Sequence, residues 1–335
     1  MFVNRKVVIS AAGGPENVVW QEAATSSPKE REVLVRVELA GAAFGDILLR
    51  RGVTGDRFPV TPGYDFIGVV EALGHGASRF EVGARVAGFP GHSAQQEYIC
   101  LSEDDLVPVP VGVAPHKAVS AILNYLTAYQ LLTRATSLRA GDKAFIYGLA
   151  GGLGGAMRQI AGHLGIQIFG TASKARLLKA GHGATVFDRN DPEWVQLARQ
   201  ACPHGFDAVF DPIGGASLNR SYGLLNTNGT LVMLGTASSV QGKRDPRLGV
   251  LGTLARFAWL KLRPSSRRAR IFMVEGAKRD PDRFQMEMST IFWWLSEGKI
   301  DPEIHAVLPL REARTAHEML ERGEVTGKIV LDARQ

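Results

Sequence analysis

Residues 143–157, Lys-Ala-Phe-Ile-Tyr-Gly-Leu-Ala-Gly-Gly-Leu-Gly-Gly-Ala-Met, constrain this chain more than any other stretch. Ala144–Tyr147 is a short apolar run of the length a buried parallel strand needs. Gly148, Gly151, Gly152 and Gly154 follow at once, and Met157, Ile160, Ala161 and Leu164 then recur at helical spacing. Strand, glycine turn and helix in that order form the first half of a dinucleotide-binding unit. Glycines permit the tight turn, let the backbone approach a pyrophosphate and let helix and strand pack closely. The helix start then directs unpaired N–H groups and its positive dipole end at the phosphates. The plain alternative is a glycine-rich turn that binds nothing.

The segment after that helix selects among cofactors. Gln167–Thr171 reads as the second strand, and an acid about 20 residues beyond the glycines would hold a ribose 2′-hydroxyl. That place holds Thr171-Ala-Ser-Lys-Ala-Arg176, with no acid. A hydroxyl such as that of Ser173 and two cations, Lys174 and Arg176, suit a 2′-phosphate through charge-assisted hydrogen bonds. Arg189, after the next apolar run Ala184–Phe187, supplies a further cation from a neighbouring strand end. The expected cofactor is therefore NADPH. The alternative is that Lys174 and Arg176 belong to a solvated first helical turn.

At 335 residues the chain suits two domains. No apolar run reaches the roughly 20 residues that span a bilayer, and the N-terminus lacks a signal-peptide core. Cys100 and Cys202 form no metal or disulfide pattern. A cytoplasmic location is the expectation. The net charge of +6 suits anionic cofactors, and no nucleic-acid module is visible.

Residues 1 to about 122 read as a small, mainly antiparallel β-domain. Val33–Leu39 alternates like a half-buried strand, and Phe66–Leu73, Arg85–Gly88, Gln96–Leu101 and Leu106–Pro110 are further candidates. Ala114–Thr136 reads as a helix. Beyond it, Ala144–Tyr147, Gln167–Gly170, Ala184–Phe187, Ala208–Phe210 and Thr230–Gly235 alternate with helical segments, which requires a parallel, doubly wound sheet. Ligands bind beyond the carboxyl ends of such strands. Asp211, Gly235 and Thr236 fall there; for Asp211 an ordinary turn role is an equal alternative. The stretch 254–270 turns aromatic and basic, fitting a lid, a subunit contact or, as a lesser alternative, a membrane surface. Ile271–Val274 reads as the closing strand, followed by a helix over Asp282–Ser296.

Taken together, Gly45–Gly52, Pro62–Val70, Asn124–Tyr129, Tyr147–Gly154, Asp211–Gly215, Gly298–Pro302 and Gly327–Leu331 carry a resemblance. The chain resembles the zinc-free medium-chain dehydrogenases/reductases, near the quinone oxidoreductase and vesicle amine transport protein-1 subgroup. The resemblance implies an α/β architecture. A GroES-like β-rich catalytic domain, residues 1–123 and 273–335, would be split by a Rossmann domain, residues 124–272. It also implies an active site in the cleft and a homodimer. Metal-dependent members carry a cysteine near position 46 and Gly-His-Glu after the next loop. Here those places hold Asp46 and Gly63-Tyr64-Asp65, so no metal site is expected.

The implied activity is hydride transfer from NADPH to a hydrophobic quinone or α,β-unsaturated carbonyl. Tyr64 and Asn124 are the candidate catalytic residues, with an aromatic wall and helix packing as their respective alternatives. The cofactor-binding set is Asp46, Thr127, Gly148, Gly151, Gly152, Leu153, Ser173, Lys174, Arg189, Gly235, Thr236, Phe272 and Lys328. Two departures stand out. Many relatives carry Asn where this chain has Ala43, and the tyrosine some enoyl reductases carry is absent from Gly52–Gly55. They leave open an NADPH-binding interaction or membrane-surface protein with little turnover, or a specialised biosynthetic reductase or dehydrogenase.

Overall fold

The computed structural model describes residues 3–240 and 245–335. The chain divides into two compact units, Met1–Leu126 with Glu275–Gln335, and Thr127–Val274. The boundaries expected from sequence fell after residues 123 and 272.

The first unit opens with β1 (Val3–Ile9) paired antiparallel to β2 (Val18–Ala24). Then come β3 (Glu32–Ala42), α1 (Phe44–Arg50), β4 (Phe66–Leu73), β5 (Arg85–Gly88), β6 (Tyr98–Ser102), β7 (Leu106–Pro108) and α2 (Pro115–Gln130), whose last residues, from Thr127, belong to the second unit. The helix expected to run to Thr136 stops at Gln130, and a wider π-type turn continues over Leu131–Ala135.

The second unit is β8 (Lys143–Tyr147), α3 (Gly152–Leu164), β9 (Gln167–Ala172), α4 (Leu177–Ala180), β10 (Ala184–Asp188), α5 (Trp194–Ala201), β11 (Phe206–Asp211), α6 (Ser217–Leu224), β12 (Leu225–Met233), α7 (Pro246–Leu262) and β13 (Arg268–Ile271). The chain then returns to the first unit with α8 (Pro281–Ser296), β14 (Ile304–Pro309), α9 (Ala313–Glu321) and β15 (Lys328–Asp332).

Among the described residues the first unit's main sheet runs β14-β15-β3-β4-β5-β7, with β6 also on β3. All its pairings are antiparallel except β14 with β15. β3 is not the half-buried strand its alternation suggested. It pairs with β4 along most of its length, with β6 at one end and with β15 at the other. Leu34 and Glu38, on the face the alternation left to solvent, are buried along with Val33, Val35 and Val37.

The second unit's sheet is parallel throughout, in the order β10-β9-β8-β11-β12-β13. Numbered within the unit, that is the doubly wound order 3-2-1-4-5-6, whose switch point lies between β8 and β11. Fully buried Phe145 anchors it, with ring centroids of Trp194 and Phe206 at 5.7 and 5.3 Å. The edge strand β13 lies three residues before the expected Ile271–Val274. Its pairing of Arg268–Ile271 with Thr230–Met233 sets the register, and an edge strand tolerates the polar residues that hid it. In α7 the side chains of Leu248, Leu251, Trp259 and Leu262 are exposed. No helix among the described residues is long and apolar enough to cross a membrane.

Helices α1 and α9 enclose an unusual polar pair. Arg50 and His317 are both fully buried. Arg50 Nη2 pairs with Glu321 at 2.7 Å, but neither His317 ring nitrogen meets a partner among the described residues. Burial, and secondarily the charge of Arg50, depresses the imidazole pKa to about 3. Between about 6.5 and 3 the unfolded chain then binds a proton that the folded one does not, so stability falls as pH is lowered through that window. Chemical denaturation at pH 6 and pH 4 should show wild type losing on the order of 1 kcal/mol per pH unit more than His317→Leu. Equal losses would remove His317 as the cause.

Candidate active site

The β8–α3 turn of the second unit is dictated by its glycines. Gly148 adopts φ +77°, a conformation L side chains rarely enter, and its carbonyl accepts the Gly151 N–H at 2.9 Å. Leu149 N–H bonds Thr171 O at 2.8 Å, fixing the turn to β9. Gly151 is the N-cap of α3, so Gly152 and Leu153 lie in its first turn, where amides lack intrahelical acceptors. Gly154, outside the expected contact set, decides how closely helix and strand approach: a Cβ there would lie 2.5 Å from Leu149 Cα.

Ser173 follows β9 directly, and Lys174 is exposed in the next turn. Asp188 pairs in register with Ala172, and Arg189 donates its N–H to Ala172 O at 2.8 Å. The structure thus brings Ser173, Lys174 and Arg189 to the carboxyl ends of adjacent strands. Asp188, an acid, ends β10 and accepts the Asn190 N–H at 3.0 Å. Gly235 and Thr236 follow β12, and Phe272 bonds through its N–H to Met233 O at 2.8 Å. Phe272 therefore lies just past β13 instead of inside a strand.

Asp211 resolves toward its turn role. It is fully buried and accepts from Ile213 N–H, Gly214 N–H, Ser217 Oγ and Ser221 Oγ at 2.6–2.9 Å. Ser221 also bonds Tyr147 Oη at 3.0 Å.

In the first unit, Tyr64 is half-buried beside Phe89, with ring centroids 6.3 Å apart. Burial first, and then the charges of Asp46 and Asp56, push its pKa well above the usual phenol value. Tyr64 therefore remains a neutral hydroxyl donor at any physiological pH. Asn124 and Thr127 sit half-buried one turn apart on α2. Leu123 N–H donates to Asp65 Oδ2 at 3.0 Å, so the chain neighbours of Tyr64 and Asn124 are joined directly.

Two residues expected at the cofactor have partners within the first unit. Asp46 is fully buried, its Oδ1 accepting Gly63 N–H at 3.0 Å and its Oδ2 accepting Ala43 N–H at 2.9 Å. Burial dominates and raises its pKa to about 6, against the lowering by Ala43, Gly63 and Lys328. The Lys328 ammonium lies 2.9 and 3.1 Å from the two oxygens of buried Asp65. Both side chains are spent on the protein's own loops. Fully buried Gln95 completes the cluster, its Nε2 reaching Gly41 O at 3.2 Å while its Oε1 has no partner among the described residues. Nothing in the sequence marked Gln95, because a lone glutamine in a strand-rich stretch carries no periodic or spacing signal. Among the described residues no three His, Cys, Asp or Glu side chains are grouped to hold a metal.

Family models for the alcohol dehydrogenase GroES-like domain and for zinc-binding dehydrogenase match residues 29–111 and 181–331. A quinone oxidoreductase of Pseudomonas aeruginosa is 32% identical over 343 residues, covering 98% of this chain and 99% of that protein. The chain belongs to the medium-chain dehydrogenases/reductases, in their quinone oxidoreductase group. A synaptic vesicle membrane protein VAT-1 homolog of Danio rerio is 28% identical over 98% of this chain and 70% of its own length. The structure of a mycobacterial protein complexed with NADPH superposes with a TM-score of 0.84 at 27% identity, covering 98% of this chain and 99% of that one. The split first unit and the doubly wound second unit are the GroES-like and Rossmann parts of this family.

Replacing Gly154 with Val should push α3 away from the turn. Nicotinamide-nucleotide affinity, read by fluorescence titration, should fall at least about tenfold, more than the protein's melting temperature alone explains. Unchanged affinity would separate the turn from cofactor binding.

Proposed function

We propose that this chain is an NADPH-dependent reductase of a quinone or an α,β-unsaturated carbonyl compound that works without a metal. One observation carries the reading: Ser173, Lys174 and Arg189 lie at the ends of adjacent strands, with no acid at the end of β9. The quinone oxidoreductase relative and the NADPH-bound neighbour support it. In this reading Gly148, Gly151, Gly152 and Leu153 cradle the pyrophosphate with backbone amides. Ser173, Lys174 and Arg189 hold the 2′-phosphate. Thr127, Gly235, Thr236 and Phe272 serve the nicotinamide half.

When bound, the dihydronicotinamide supplies the hydride. Tyr64 supplies a neutral hydroxyl that hydrogen-bonds the acceptor's oxygen as negative charge builds there. Asn124, tied to the Tyr64 loop through Leu123 and Asp65, adds a second polar group. The proton that completes the reduction comes from water or from the Tyr64 hydroxyl. Asp46 and Tyr64 stand where metal-dependent relatives carry a cysteine and the ligand histidine, and the oxygens of Asp46 are already engaged by Ala43 and Gly63. That engagement favours the metal-free mechanism.

One observation favours a second reading, a nucleotide-binding protein with little turnover. Ala43 places no polar side chain at the start of α1. We also propose a homodimer, since β13 leaves one sheet edge open beside the exposed apolar side chains of α7.

Two measurements test these readings. NADPH oxidation against a panel of quinones, enals and enones, with NADH in parallel, should show turnover with NADPH and one acceptor class. Tight NADPH binding with no turnover would favour the second reading. Lys174→Ala with Arg189→Ala should weaken NADPH about tenfold or more and NADH little; equal losses would defeat the 2′-phosphate assignment. For the dimer, light scattering should give twice the chain mass for wild type and a smaller mass for Ile271→Pro, which cannot extend an edge pairing.

A further inference from the structure

Tyr64 hangs between two peptide units that are each held by a buried charge. Upstream, Gly63 donates its N–H to Asp46 Oδ1 at 3.0 Å, and its carbonyl takes the Ala94 N–H at 3.1 Å. Gly63 has φ +101°, and a Cβ there would lie 2.7 Å from Gln95 Cγ, so this peptide has one seating. Downstream, Asp65 takes Leu123 N–H and the Lys328 ammonium on its carboxylate, and Gly41 N–H on its carbonyl at 3.0 Å. To the side, the phenol lies against Gly45 of α1, where a Cβ would be 2.5 Å from its hydroxyl. Asp46 follows Gly45 directly, so one helix turn supplies both the wall for the ring and the anion that holds the loop.

We propose that Asp46 and Asp65 are positioning residues that aim the Tyr64 hydroxyl at the acceptor oxygen without touching the substrate. The inference rests on the reading of Tyr64 as the hydrogen-bond donor. A donor on an ordinary surface loop wanders by about an ångström, enough to cost a large factor in rate. Two fully buried carboxylates remove that freedom. The negative charge of Asp46 also opposes ionisation of the phenol, which keeps the donor supplied with its proton.

A double-mutant cycle on the purified full chain tests this. Tyr64→Phe should lower kcat and leave NADPH affinity, read by fluorescence titration, within about twofold. Asp46→Asn keeps the side-chain shape but loses the anion, and should lower kcat about tenfold with little change in NADPH affinity. In the Tyr64→Phe background the same substitution should change kcat by less than about twofold, because no hydroxyl remains to be aimed. Gly45→Ala, a change that favours helix and alters no charge, should show the same pattern and covers the case in which Asp46→Asn does not fold. Full losses from both substitutions in both backgrounds would reduce Asp46 and Gly45 to general structural roles and overturn the proposal. Full kcat in Asp46→Asn and Gly45→Ala, with Tyr64→Phe impaired, would overturn it and leave the donor reading standing. Full activity of Tyr64→Phe would remove the donor reading itself, and the proposal with it.

Discussion

Asp65 and Lys328 lie 263 positions apart in the chain and meet in a buried ion pair. Residue 65 belongs to the N-terminal part of the first unit and residue 328 to the part that comes after the second unit. Hydrophobic packing also joins these parts, but packing is not directional, and the pair is. Two charges leave water only at a cost of several kcal/mol, which good geometry must offset. The offset is present: the carboxylate accepts the ammonium on both oxygens and the Leu123 N–H as well. The space is cut to fit, since a Cβ on Gly41 would lie 2.0 Å from Asp65 Oδ1 and 2.4 Å from Lys328 Cε. Register along β3, the seating of α2 and the loop that carries Tyr64 all converge on this one contact.

The second unit repeats the device with a different residue set. Asp211 ends β11 buried, and its carboxylate gathers two backbone amides and two serine hydroxyls. Through Ser221 it reaches Tyr147, the last residue of β8, so the two strands flanking the switch point share one hydrogen-bonded network. In both units a buried carboxylate bonded to the protein's own backbone shapes the surrounding loops. The cations at the ends of β9 and β10 have the opposite arrangement, with Lys174 and Arg189 exposed to solvent. Buried charge sets geometry here, and on the proposed reading the exposed charge serves recognition.

This division explains how much could be read from the sequence. The glycine turn was legible because strand, turn and helix are contiguous and each obeys a local rule. The cations were legible because strand ends are set by the alternation of apolar runs. β13 was misplaced because edge strands need no apolar signature, and β3 was misjudged because two-sided burial depends on partners far along the chain. Asp46 and Lys328 were read as cofactor contacts from residue type, with their protein partners out of view for the same reason. Their residue types suit such contacts, and only the fold shows that each already has a partner in the protein. Gln95 lay beyond reach altogether, since its importance is a matter of three-dimensional crowding around Gly63 and Asp46.

The inward commitment of these charges bears on the chemistry proposed for the site. A metal ion stabilises a developing alkoxide by several kcal/mol and so permits reduction of simple carbonyls. A single neutral phenol, even well aimed, contributes less: loss of one such donor in other enzymes costs roughly 3–4 kcal/mol. On the proposed mechanism the remainder has to come from the acceptor. A quinone or an enone spreads the arriving negative charge over a conjugated system, so one or two hydrogen bonds suffice. The proposed preference for conjugated acceptors then has the same origin as the carboxylates that fill the centre of the first unit. Asp46 and Asp65 hold the backbone and Lys328, and on the proposed mechanism the substrate has to carry the charge itself.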